Sequence, residues 1–223
     1  PAGRLQGRRA LSTGSSSGIG RGVAIAFAAE GADVVINYPD DSQAANAAVV
    51  VAEIEALGRR AVAVQADVAL EADVDQLIDR AVQFAGGIDI LVNNAGVAAA
   101  SLIEATPVEL WDRTIAVHLR GTFLLTRKVL PLMYAQNHGR IINTASQLAY
   151  KGSAGFAHYT AAKGAIISLT RSVALEIGPR NITINSVAPG ATRTPILAGV
   201  PDDIMASIRA GIPRGRIAEV DEI

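Results

Sequence analysis

Arg9-Ala10-Leu11-Ser12-Thr13-Gly14-Ser15-Ser16-Ser17-Gly18-Ile19-Gly20, followed by the helical run Arg21 to Glu30, is the stretch that decides the fold. Arg9 to Ser12 reads as a short strand, and a glycine-rich turn joins it to the helix. The three glycines have separate uses. Gly14 permits the tight turn, Gly18 lets a ligand approach the backbone, and Gly20 lets helix pack on strand. A helix that starts there offers free N–H groups and the positive end of its dipole, a natural seat for a pyrophosphate.

Downstream the same alternation continues. Gly31 closes the first helix, and Val34 to Ile36 reads as a buried strand with a loop from Asn37 to Asp41. A helix from Ser42 to Leu57 stops at Gly58. Ala61 to Gln65 is the third strand, running out at Asp67-Val68, and Glu71 to Phe84 the third helix. Ile88 to Val92 is a fourth strand with Asn93-Asn94-Ala95-Gly96 at its carboxyl end. Thr106-Pro107-Val108-Glu109 has the pattern of a helix start, with Thr106 as cap, and predicts one long helix to about Gln136. Arg140 to Thr144 and Ile182 to Val187 are the fifth and sixth strands, with a loop to Gly155 and a helix ending near Gly178-Pro179 between them. Buried strands alternating with helices argue for an α/β architecture: a parallel sheet covered on both faces, doubly wound. In such sheets ligands bind beyond the carboxyl ends of the strands. Gly14, Asp67, Asn93, Ser146 and Pro189 all fall at such ends.

Composition narrows the function. The chain has 223 residues, half of them hydrophobic, which suits one domain over 1–223 with a large core. A formal net charge of −1 gives no electrostatic case for nucleic acid or a membrane surface. The absence of cysteine excludes disulfides, thiolate metal sites and a cysteine nucleophile, and three scattered histidines argue against a metal. The run from Pro1 to Arg9 lacks the apolar core of a signal peptide, and no apolar run is long enough to span a bilayer. The expectation is a soluble, cytoplasmic protein.

Tyr159-Thr160-Ala161-Ala162-Lys163 carries the candidate chemistry. A tyrosine and a lysine at i and i+4 share a helix face. An ammonium beside a phenol favours the phenolate, so Lys163 is expected to lower the pKa of Tyr159 and make it a proton donor and acceptor near neutral pH. Ser146 would give a second hydrogen bond to the same oxygen.

These motifs together resemble the classical short-chain dehydrogenase/reductase family, close to 3-oxoacyl-[acyl-carrier-protein] reductases and bacterial glucose dehydrogenases. They are Thr13-Gly14-x-x-x-Gly18-Ile19-Gly20, Asp67-Val68, Asn93-Asn94-Ala95-Gly96, Ser146, Tyr159-x-x-x-Lys163, and Pro189-Gly190 with Thr194. The resemblance covers essentially the whole chain. It implies a Rossmann fold with strand order 3-2-1-4-5-6 and a nicotinamide cofactor. Gly14, Ser16, Ser17, Gly18, Ile19 and Gly20 would hold the pyrophosphate. Asn37 and Tyr38 would meet the adenosine ribose, and Asp67 with Val68 the adenine. Asn93, Ala95 and Gly96 would line the ribose and nicotinamide side, and Pro189, Gly190, Thr192 and Thr194 the carboxamide. By the same resemblance Lys163 would bind the nicotinamide ribose, Tyr159 would exchange a proton with the substrate oxygen, and Ser146 would polarise that oxygen. Hydride would pass between nicotinamide and a secondary alcohol or ketone.

The sequence departs from the family pattern in three places. His118-Leu119-Arg120-Gly121 stands where the family has Asn-Leu-x-Gly, whose Asn completes a catalytic tetrad through a water. If His118 takes over that relay, its ring should face Lys163 and the helix should be irregular near Val117. The second strand ends Asn37-Tyr38-Pro39, without the acid that selects NAD; NADP is preferred, with NAD as the alternative. The chain closes at Glu222-Ile223, where a helix should be starting; the family's last helix and seventh strand are absent, leaving an exposed sheet edge. That strand helps build a tetramer in the family, so a homo-oligomer is expected. Substrate choice should rest on Gln147 to Gly155 and Thr194 to Ile212. A sugar dehydrogenase, or a cofactor-sensing module without turnover, are the competing readings.

Overall fold

A computed structural model describes residues 3–223; Pro1 and Ala2 lie outside the described residues. Six parallel strands form one sheet in the order β3-β2-β1-β4-β5-β6. They are β1 Arg9–Ser12, β2 Asp33–Tyr38, β3 Ala61–Gln65, β4 Ile90–Asn93, β5 Gly139–Thr144 and β6 Ile182–Val187. The order reverses between β1 and β4, and a crevice opens at their carboxyl ends, as expected of a doubly wound sheet.

The apolar runs of the strands bury both faces. On β1 and β2, Ala10, Val34 and Ile36 face a core under helices α1 (Gly18–Ala29) and α2 (Ala44–Ala56), while Leu11 and Val35 face the opposite core. That second core is closed by α3 (Glu71–Ala85), by the segment Val108–Gln136, and by α7 (Ala157–Ile177). Strand β6 differs: Ile182 and Ile184 are buried, but Thr183 and Asn185 on its other face are exposed.

Three local readings change. Helix α1 begins at Gly18, three positions before Arg21, because the free N–H groups of the first turn come from the glycine-rich segment itself. The capping box at Thr106 does not form. Its hydroxyl turns back to the Leu102 carbonyl at 2.8 Å, and Pro107 occupies the cap position with no side-chain bond. The long helix is three pieces, α4 (Val108–Ile115), a π turn over Ala116–Arg120, and α5 (Gly121–Gln136). The irregularity expected near Val117 is therefore present. The Gly121 N–H reaches back to Ala116, and the Thr122 hydroxyl caps the His118 carbonyl at 2.7 Å. The loop after Ser146 holds the short helix α6 (Leu148–Lys151), and α8 (Asp202–Ala210) lies beyond β6.

Candidate active site

A cavity of about 340 Å³ lies along the carboxyl ends of the strands, lined from Gly14 and Gly18 at one end to Tyr159 and Lys163 at the other. Gly14 and Gly18 have φ of +58° and +56°, in the region that disfavours a side chain. A Cβ on Gly14 would stand 2.8 Å from the Ala95 Cα. Helix α1 meets the cavity with Ser17 as its cap residue, no side-chain cap bond and no acid in its first turn. Its N–H groups and dipole are thus free for an anion, and the turn is a cradle that side chains would fill. A dinucleotide fits that cradle.

Two asparagines brace the turn. Asn37, 1% exposed, accepts from the Gly14 N–H at 3.2 Å and donates to the Ala66 carbonyl at 3.0 Å. Asn94 donates to the carbonyls of Thr13 and Gly14 at 3.0 and 3.2 Å. Its neighbour Asn93 points the other way. It donates to Asn143 at 2.8 Å, and Asn143 donates to Thr170 at 2.9 Å, in a buried chain that ties β4, β5 and α7 together. Asn93 is thus a brace behind the wall, and Asn94 is the member of the pair that lines the cavity. Which of two adjacent asparagines turns inward depends on how the chain leaves β4, and sequence spacing carries no sign of it.

Asp67 lines the cavity, but both carboxylate oxygens are engaged. Oδ1 accepts from the Ala69 N–H at 3.0 Å and Oδ2 from Arg113 Nη1 at 2.6 Å. Arg113, on α4, is a cavity residue that no sequence signal marked. Ser16, Ser17, Ile19, Val68, Ala95, Gly96 and Thr194 also lie on the wall. Gly20, Tyr38, Ser146, Pro189, Gly190 and Thr192 do not. Gly20 is needed for packing, because a side chain there would run into Asn94 and the Ser15 backbone. Thr192 turns its hydroxyl to the Gly190 carbonyl at 3.1 Å, and the Pro189 carbonyl accepts from the Gln147 N–H at 3.0 Å.

At the far end, Lys163 is 3% exposed and donates to the Thr144 carbonyl at 2.5 Å. Its Nζ lies 5.7 Å from the centre of the Tyr159 ring. Burial lowers the Lys163 pKa to about 7. Burial also raises that of Tyr159, a shift that the hydrogen bond with Ser146 opposes. The expected lowering of the tyrosine by Lys163 is therefore absent. Both groups are desolvated, and the ammonium is turned to a backbone carbonyl. Ser146 is buried and accepts from the Leu148 N–H at 3.1 Å, which fixes its oxygen at the start of α6.

His118 sits inside the π turn, 2% exposed. Its ring is edge-on to Tyr159, with centroids 5.2 Å apart, and a Cβ on Gly96 would stand 2.5 Å from its Cε1. Nε2 lies 2.8 Å from the Val97 carbonyl and makes no hydrogen bond to Lys163. The expected direct orientation toward the lysine is replaced by a bond to the loop after β4. Burial, with the Lys163 charge second, lowers the imidazole pKa to about 3, so the ring is neutral in the working range.

The family model for short chain dehydrogenase matches residues 8–204. The chain belongs to the short-chain dehydrogenase family. It is an NAD(P)-dependent oxidoreductase of that family, acting between the alcohol and ketone levels. It is 42% identical over 98% of its length to a 3-oxoacyl-[acyl-carrier-protein] reductase of Synechocystis sp., covering 87% of that protein. It is 41% identical, with the same two coverages, to the (2S)-[(R)-hydroxy(phenyl)methyl]succinyl-CoA dehydrogenase subunit BbsD of Thauera aromatica. Among solved structures, a short chain dehydrogenase from Burkholderia cenocepacia in complex with NADP superposes with a TM-score of 0.88 at 41% identity, covering 98% of this chain and 88% of that one. A short-chain alcohol dehydrogenase from Sinorhizobium meliloti gives 0.93 at 35% identity, covering 100% and 88%. No helix among the described residues is long and apolar enough to cross a membrane.

Proposed function

We propose that this short-chain dehydrogenase reduces the 3-oxo group of an acyl thioester, or oxidises the matching 3-hydroxy group, with NADP as the preferred cofactor. The observation that carries the reading is one cavity with the glycine cradle at one end and the Tyr159 phenol beside Lys163 at the other. The two relatives named above support the substrate class, since both names describe an oxygen function on the carbon β to the carbonyl of an acyl thioester. The Burkholderia complex supports NADP. The missing acid at the end of β2 also favours NADP, while Asp40 on the cavity wall counts against a phosphate, although one of its oxygens is engaged by the N–H and hydroxyl of Ser42 at 3.0 and 2.5 Å.

The nicotinamide, when bound, supplies or accepts the hydride. The N–H groups of the 14–20 turn would hold its pyrophosphate, and Asp67 with Val68 would flank the adenine. Ala95 and Gly96 would border the nicotinamide end, with Thr194 on the wall beside Gly18; Pro189, Gly190 and Thr192 stand behind the wall and would act there only by supporting it. Lys163, here bonded to the Thr144 carbonyl, is the residue that would hold the ribose. In its charged form Lys163 would draw down the Tyr159 pKa. Tyr159 donates the proton to the substrate oxygen, and Ser146 holds that oxygen by a second hydrogen bond. His118, neutral, supports this end through Val97. We further propose that residues 1–223 act as one domain, and that the protein works in the cytoplasm as a homo-oligomer, a tetramer by family pattern.

The test is loss of the reduced-nicotinamide absorbance with acetoacetyl-CoA, compared between NADPH and NADH, with glucose and NADP as the control in the oxidative direction. Turnover of acetoacetyl-CoA with a higher kcat/KM for NADPH is expected. Turnover of glucose alone would reassign the protein to the sugar dehydrogenases. Cofactor binding with no turnover on any carbonyl would make it a sensing module.

A further inference from the structure

The segment leaving β4 runs without helix or strand from Asn94 to Leu102, yet its backbone is tied at every second residue. The Val97 carbonyl meets His118 Nε2 at 2.8 Å, and the Ala99 carbonyl meets His158 Nε2 at 3.0 Å. The Ser101 N–H donates to the Gly155 carbonyl at 2.9 Å. A carbonyl only accepts, so the His158 contact requires its proton on Nε2. His158 is 1% exposed and is the second residue of α7, directly before the proton donor Tyr159. Its Nδ1, like that of His118, is enclosed with no hydrogen-bond partner among the described residues. An unpaired buried ring nitrogen costs roughly 1–3 kcal/mol, a cost that phenylalanine or leucine would avoid. What histidine supplies there is the bond to the strap.

Between the anchors stand Ala98, Ala99 and Ala100, with no side chain longer than a methyl. The position of such a wall is set by its backbone, and therefore by its anchors. It leaves the cofactor cavity at Gly96 and Val97 and runs beside the start of α7 toward Gly155. We propose that His158 is a positioning residue of the substrate site: with His118 it fixes residues 97–101 as the wall beside Tyr159, and so sets how the substrate carbonyl is delivered to the phenol. The substrate side of this proposal rests on the acyl-thioester reading; the clamp itself does not.

The test compares the wild type with His158→Phe and His158→Gln; glutamine keeps a donor near the position of Nε2. Nitrogen-15 spectra of the wild-type imidazoles should give the Nε2–H tautomer for His158, and three histidines in the chain make assignment simple. In His158→Phe, amide exchange across 97–101 should speed up by about tenfold, the equivalent of one net hydrogen bond, with β1 unchanged. The KM for acetoacetyl-CoA should rise by about tenfold or more while the NADPH Kd stays within about twofold, and His158→Gln should recover most of both. An Nδ1–H tautomer, or wild-type exchange at 97–101 in His158→Phe, overturns the clamp. Faster exchange with unchanged KM overturns the positioning role. If acetoacetyl-CoA is not a substrate, the substrate reading fails while exchange and tautomer still decide the clamp. If His158→Phe does not fold, the tautomer decides alone.

Discussion

The two halves of the cavity are built in opposite ways. At the cofactor end the glycine turn is backbone braced by hydrogen-bonded side chains: buried Asn37 holds Gly14, half-buried Asn94 on the wall holds Thr13 and Gly14, and buried Ser15 bonds the Ser12 carbonyl at 2.6 Å. On the substrate side the flanking segments present large apolar side chains to solvent. Tyr150 on α6 is 68% exposed, Ile196 58% and Ile204 on α8 50%. Apolar area left in water gains about 25 cal/mol per Å² when something covers it. The cofactor half has little such energy left to gain, so its shape precedes its ligand. The other flank has most of it in reserve, as area that a bound acyl chain would cover.

The largest effect should come where the halves meet. Tyr159→Phe keeps the ring against His118 and Phe156 and removes only the hydroxyl. General acid catalysis contributes roughly 10²–10⁴-fold, so kcat should fall by about that factor while the cofactor Kd is unchanged. Steady-state rates with acetoacetyl-CoA, beside NADPH titration by fluorescence, check it. Turnover near wild type would remove Tyr159 as the proton donor and with it the junction between the halves.

Next in size is a direct attack on the preformed half. Gly14→Val places a β-branched residue at φ +58° with its Cβ 2.8 Å from Ala95. Backbone strain alone costs on the order of 1–3 kcal/mol, and the clash adds to it. The cofactor Kd should rise by more than about tenfold, and the Tm should fall by several degrees, since the same bonds hold turn and ligand site. A loss of affinity with no loss of Tm would mean that the cradle is not part of the folded frame, contrary to the comparison.

The contrast also explains what the sequence conveyed. The alternation of strands and helices, the glycine turn and the Tyr159–Lys163 face follow from periodicity and from backbone requirements that few residues meet, and these show in a single chain; the strand order came with the family resemblance. The weakness near Val117 was readable because His118 interrupts a familiar pattern. What was not readable depends on direction rather than type. Asn93 and Asn94 are chemically identical neighbours with opposite roles. Arg113 reaches Asp67 only through the packing of α4. Thr106 had the composition of a cap but found the Leu102 carbonyl first. The four-residue α6 is too short to show a period. The opposite pKa shifts of Tyr159 and Lys163 arise from burial, which i,i+4 spacing does not report.

A third prediction concerns that burial. The Lys163 pKa falls from 10.5 to about 7 in the folded, cofactor-free protein. Between those values the unfolded chain holds the proton and the folded one does not. Stability therefore rises with pH across that window, and the full penalty applies below about pH 7. Lys163→Met removes the penalty, which is on the order of a few kcal/mol, but leaves the Thr144 carbonyl without its donor, at about 1–3 kcal/mol. The variant should thus be as stable as the wild type, or slightly more so, near pH 6.5, and should lose that advantage toward pH 9. Urea unfolding of both cofactor-free proteins over that range checks the sign. A wild type that loses stability relative to the variant as pH rises would contradict a neutral buried amine.

The smallest effect separates the halves most cleanly. Tyr150 is 68% exposed, and its hydroxyl makes no hydrogen bond among the described residues. Its helix is held by the Gly152 N–H on the Leu148 carbonyl at 2.9 Å and by Ser146, neither of which involves the Tyr150 ring. Tyr150→Ala should therefore change unfolding free energy by less than about 0.5 kcal/mol, as for other surface positions. If the ring is covered by an acyl chain on binding, losing about half of its roughly 150–250 Å² removes about 2 kcal/mol of apolar burial. The KM for a long-chain 3-oxoacyl thioester should then rise by up to about thirtyfold, with kcat nearly unchanged and acetoacetyl-CoA hardly affected, since its short chain does not reach. The chain-length series separates the outcomes. Equal losses on short and long substrates would place Tyr150 in the reaction centre. No loss on either would leave it a solvent-facing ring and move the acyl site toward Ile196 and α8. A Tm falling by several degrees would show that the substrate half carries part of the fold after all.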